Sequence, residues 1–96
     1  MTQSDSQKVI DAVMKGIAVF SNFDATEIGI DDNLEEDLFL NLETDLPAII
    51  ANVSKELGVE VPSETIAEYK KQVLAEPEEA TVASMVAMIE EEVEFN

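Results

Sequence analysis

Ninety-six residues, 46% of them hydrophobic, suffice for one domain over residues 1–96 with one modest core, and are too apolar for a chain disordered by composition. Cysteine, histidine and arginine are absent, which excludes disulfides and thiol chemistry and removes the usual general base and the forked guanidinium, so no enzyme activity is expected. Twenty-two acids against five lysines give a net charge of -17, which excludes nucleic acid and anionic membranes as partners and points either to basic protein surfaces met by salt-sensitive steering or to solubility alone.

In chain order, Val9, Ile10, Val13, Met14, Ile17 and Phe20 recur at spacings of three and four and predict a helix over 6–20 with one buried stripe, capped by Ser4 or Asp5. Residues 21–41 hold no sustained period. Isolated apolar residues (Phe23, Ile28, Ile30, Leu34, Leu38, Leu40) alternate there with acids and Gly29, which reads as a long loop pinned to a core. A second helix is predicted to begin near 43–45, with Thr44 or Asp45 as N-cap and Pro47 tolerated in the first turn. Leu46, Ile49, Ile50, Val53 and Leu57 form its apolar face, and Gly58 stops it.

A third helix is predicted over 63–75 with Ile66, Tyr69, Val73 and Leu74 inward, ended by Glu76-Pro77. The last begins after a Thr81 cap and buries Val82, Met85, Val86, Ile89 and Val93 ahead of an acidic tail. Met14, Met85 and Met88 suit gap-filling in a small core. No signal peptide or long apolar run opens or interrupts the chain, so a cytoplasmic monomer is the expectation.

Three strings now matter together. Glu36-Asp37-Leu38 resembles the "EDL" that precedes the modification site of acyl carrier proteins, and 55–62 (KELGVEVP) resembles the "EEEFGxEIP" that closes their second helix. Thr81-Val82 with Val86 and Ile89 resembles the "TTVxxxIxxI" of their last helix. The resemblance runs from Ile28 to Ile89 and implies an all-α, acyl-carrier-protein-like four-helix bundle with a long loop between helices 1 and 2. The segment over 63–81 is longer than is typical, which permits a full third helix and a reshaped cavity beside it.

The family carries an Asp-Ser-Leu triplet whose serine is esterified by the phosphate of 4'-phosphopantetheine. Counting forward from Leu38 puts Leu42 at the serine position and counting back from Pro62 puts Glu43 there, so this chain holds one extra residue. Neither side chain can form the phosphodiester, and no cofactor is expected. Thr44 is the nearest hydroxyl and is read as a cap; Ser54, Ser63 and Ser84 read as ordinary surface or cap groups.

The resemblance implies an acidic second-helix face, through Glu43, Asp45, Glu56 and Glu60, docking on a basic partner such as a synthase or ligase of fatty acid or secondary metabolite biosynthesis. Ala48 and Lys55 interrupt that face. Two other readings stay open: a working acyl or aminoacyl carrier modified at an atypical hydroxyl such as Thr44, with 4'-phosphopantetheine as cofactor, and a divalent-cation-stabilised helical domain unrelated to carriers. Residues 24–35 have the outline of an EF-hand loop, but Ile28 and Asp31 stand where a ligand and an apolar residue belong. No specific metal site is expected; the crowded carboxylates Asp31, Asp32, Glu35, Glu36 and Asp37 suit at most weak divalent binding.

Overall fold

The first apolar stripe folds as its spacing requires as far as Ile17, whereas Phe20 at its end is exposed. Val9, Ala12, Val13 and Ile17 are buried and Ile10 and Met14 half-buried along α1 (Thr2–Phe20). The structure, a computed structural model, describes residues 2–95, with side chains for 7–94. Helix α1 starts ahead of the predicted boundary, so Ser4 and Asp5 fall within it instead of before it; the side chains expected to cap it lie outside those described.

Three more helices follow, α2 (Asp45–Leu57), α3 (Ser63–Ala75) and α4 (Val82–Phe95), with single 3-10 turns at Ala25–Glu27 and Pro77–Glu79. The fold is all-helical: among the described residues the only strand-like pairing is an isolated bridge between Asn33 and Thr81. One cluster joins the buried residues of all four helices and of the loop over 21–44. The radius of gyration, 12.1 Å, agrees with the about 12.5 Å of a compact chain of this length.

Part of that loop's backbone is committed to α4 and the turn before it, and the rest closes only single turns. The first N–H groups of a helix find no partner within it, and here Val82 and Ala83 donate theirs to Asp32 O (3.0 Å) and Ile30 O (2.9 Å). Leu34 N–H donates to Ala80 O at 2.7 Å, and the Asn33 amide to Pro77 O at 2.9 Å. The loop thus caps α4 while Ile28, Leu34, Leu38 and Leu40 anchor it in the core. Ile30, counted among its anchors, is exposed instead; at this residue the loop meets α4 through the backbone carbonyl. The EF-hand outline is not realised: Ile28 is buried, and turns follow Glu35 where a helix would be needed.

Leu46, Ile49, Ile50 and Val53 make α2 a core helix. Gly58 ends it in the left-handed region (φ 67°), with Gly58 N–H on Lys55 O and Val59 N–H on Ser54 O, both bonds of a Schellman motif. Helices α1 and α2 touch closely at Gly16, where a Cβ would stand 2.9 Å from Val53 Cγ2. In α3, Tyr69 and Val73 are buried and Ile66 half-buried, but Leu74 is 41% exposed. One residue turns a helix by about 100°, and that step carries Leu74 off the stripe that Val73 occupies.

Thr81 caps α4 as predicted, reciprocally with Ser84: each N–H donates to the other's hydroxyl oxygen at 3.2 Å. Ser84 Oγ donates its one proton to Thr81 O (2.7 Å), so the Tyr69 hydroxyl, 2.7 Å away, is the donor to Ser84 Oγ. Burial is the main reason that the Tyr69 pKa is raised from 10.0 to about 12, the bond to Ser84 opposing it. An ionised Tyr69 would need Ser84 to turn its proton away from Thr81.

Candidate functional site

Two hexapeptides eight residues apart, Asn33-Leu34-Glu35-Glu36-Asp37-Leu38 and Asn41-Leu42-Glu43-Thr44-Asp45-Leu46, differ only at Glu36 and Thr44. They fold alike. In the first, Asn33 Oδ1 accepts from the N–H of Glu35 (2.9 Å) and Glu36 (2.8 Å), while Asn33 N–H donates to Asp37 Oδ2 (2.7 Å). In the second, Asn41 Oδ1 accepts from Glu43 (2.9 Å) and Thr44 (3.2 Å), and Asn41 N–H donates to Asp45 Oδ2 (2.8 Å). In both, the aspartate N–H closes the turn on the asparagine carbonyl, and both leucines of each copy enter the core.

Each copy is therefore a self-capped helical turn: a short amide oxygen reaches two nearby N–H groups, and a carboxylate four residues on reaches back. The second copy runs straight on into α2. This corrects the predicted cap. Asn41 holds that role; Thr44 has helical dihedrals and makes no side-chain cap bond, and Asp45 bonds backwards to Asn41. The signal was present in the sequence, as the repeated Asn-Leu-Glu-x-Asp-Leu.

The first copy is turned aside at Phe39, which has φ 58°; Phe39 N–H donates to Glu35 O and Leu40 N–H to Leu34 O. A left-handed conformation costs a non-glycine residue about 1–2 kcal/mol. The Phe39 ring recovers some of this by stacking on Phe23 at 6.4 Å between centroids, and such a pair contributes about 0.5–1.5 kcal/mol. The two nearly cancel. Phe39 also leaves 79% of itself in solvent between buried Leu38 and Leu40, so the fold gains little from an aromatic ring at this point.

At the entrance of α2 the residues of interest separate cleanly. Leu42, one of the two candidates for the family's serine position, is 2% exposed and part of the core. Glu43, the other, is exposed, and lines a shallow concavity of about 450 Å³ together with Glu35, Phe39, Asn41 and Leu74 of α3. Thr44 is exposed beside it.

The four acids expected to form one docking face are spread along α2 and just beyond its two ends. Glu43 stands at the α2 entrance, and half-buried Asp45 is engaged by Asn41. Glu56 is at the far end of α2, 3.9 Å from Lys15 of α1, an exposed pair that contributes little. Glu60 is exposed beyond Gly58. The intervening exposed positions are Ala51, Asn52 and Lys55. Of the loop carboxylates, Asp32 accepts from Gly29 N–H (2.8 Å) and Asp37 from Asn33 N–H, while Asp31, Glu35 and Glu36 are exposed. Among the described residues, no three acidic side chains are grouped so as to hold a metal ion, and no helix is long and apolar enough to cross a membrane.

No protein-family model, no curated protein and no solved structure matches the chain.

Proposed function

We propose that this chain is an acyl-carrier-protein-like module that docks on basic protein surfaces and carries no phosphopantetheine arm. One observation carries the reading: where the resemblance places the modified serine, the chain has a core leucine, Leu42, and an exposed carboxylate, Glu43. A carboxylate or an alkyl group cannot be esterified by the phosphate of the arm. What remains at that position is negative charge on an acidic chain, which favours encounter with cationic partners. The partner class is a basic patch on a synthase or ligase, and the chain itself performs no catalysis.

Intact-mass measurement after incubation with coenzyme A and a broad-specificity phosphopantetheinyl transferase tests this. An unchanged mass is expected. A gain of one phosphopantetheine arm overturns the reading, and peptide mapping then decides the alternative. That alternative is a carrier modified at Thr44, favoured by one fact: the Thr44 hydroxyl is exposed and is not used as a cap.

A further inference from the structure

We infer that Phe39 is the anchor by which this chain holds a cationic amphipathic helix of its partner, with the exposed carboxylates of Glu35 and Glu43 meeting the lysines or arginines that flank the helix's apolar stripe. The inference rests on the reading that basic surfaces are the partners, and adds where and through which apolar contact they are held.

Three observations converge on Phe39. Its ring is largely in solvent although the residues on either side are buried, so hydrophobic burial does not explain it. Its backbone is left-handed, a conformation that glycine or asparagine adopts at lower cost. It shares one concavity with a second exposed apolar side chain, Leu74, and with two exposed carboxylates, Glu35 and Glu43. An aromatic side chain at the centre with charged groups at the rim is how binding energy is usually distributed over an interface.

The occupant follows from the chemistry of that patch. The chain offers no strand edge among its described residues beyond one isolated bridge, so an extended peptide has no sheet to join. Two apolar side chains set among acids are the complement of a helix with an apolar stripe between basic residues. On α3, Lys70 and Lys71 lie one turn before Leu74. They end the acidic rim on that side, so the partner's cations lie toward Glu35 and Glu43.

The test uses the full chain and two labelled peptides of identical leucine and lysine content, one with leucines at i, i+3, i+4 and i+7, the other scrambled so that no stripe forms. Fluorescence anisotropy at low ionic strength is measured for the wild type and for Phe39→Gly and Phe39→Asn, residues that suit the left-handed backbone and so keep the fold, checked by thermal melting. The striped peptide is expected to bind the wild type and to lose at least about tenfold in affinity to both variants, while the scrambled peptide binds all three equally weakly. If both variants bind the striped peptide as the wild type does, the anchor is refuted, although salt-sensitive binding of either peptide still supports a basic partner. If neither peptide binds the wild type at low salt, the anchor and the reading beneath it fall together.

Discussion

Raising the pH through the tyrosine range tests the contact between α3 and α4 at a single atom. Tyr69 is the chain's one tyrosine and there is no tryptophan, so tyrosinate absorbance belongs to it alone. The folded pKa of about 12 lies above the ordinary 10.0 because burial disfavours the phenolate. A raised pKa means that the folded state holds the proton more tightly. The associated stability is whole below pH 10.0 and is lost as the pH rises toward about 12. Two pKa units at about 1.4 kcal/mol each make the loss on the order of 2–3 kcal/mol, from a total of about 5–15 kcal/mol for a domain of this size.

Tyr69→Phe separates this effect from lysine deprotonation, which both proteins share. At neutral pH the variant gives up the hydrogen bond to Ser84 and should be less stable by about 0.5–1.5 kcal/mol. Near pH 12 it has no phenolate to accommodate, and it should be the more stable of the two. Urea unfolding across this range reads the crossover. Parallel curves for the two proteins, or an absorbance midpoint at 10.0 in the folded protein, would refute the reasoning.

The two Asn-capped turns should respond unequally to alanine. Asn33 is buried and also donates to Pro77 O, so Asn33→Ala should cost about 2–4 kcal/mol, against about 1 kcal/mol for Asn41→Ala, whose N–H groups water can reach; equal losses in urea unfolding would contradict this. Gly16→Ala sets a helix-propensity gain of about 1 kcal/mol against overpacking of about 1–3 kcal/mol, because the Val53 methyl 2.9 Å from the new Cβ belongs to a side chain stiff at χ1. A net loss near 1 kcal/mol is expected, and a stabilised variant would show that close approach is not why glycine stands there. With a net charge of -17, Tm should rise by about 5 °C or more between about 0.01 M and 1 M salt. Calcium added at matched ionic strength should produce no further shift, in line with the lack of grouped ligands among the described residues.

Much of this fold could be read directly from residue order. The spacing of Val9, Val13 and Ile17, of Leu46, Ile49, Ile50 and Val53, and of Val82, Met85, Val86 and Ile89 marks three helices and their buried faces. Gly58 and Thr81 mark two of their ends. These features are local: a helical stripe repeats every three to four residues, and a cap acts within one turn. The two Asn-Leu-Glu-x-Asp-Leu turns are equally local, since each closes within four residues.

Tertiary structure alone decided the rest. That Asp32 and Ile30 cap α4, and that Asn33 reaches Pro77, depends on bringing together segments more than forty residues apart. The same docking turns Phe39 outward between two buried leucines and sets Leu74 of α3 beside Glu35 and Glu43. Residue order specifies charge and local periodicity through forces that act within a turn or two. Which exposed side chains share a surface depends on how the helices and loop close around one core, and no local pattern encodes that closure.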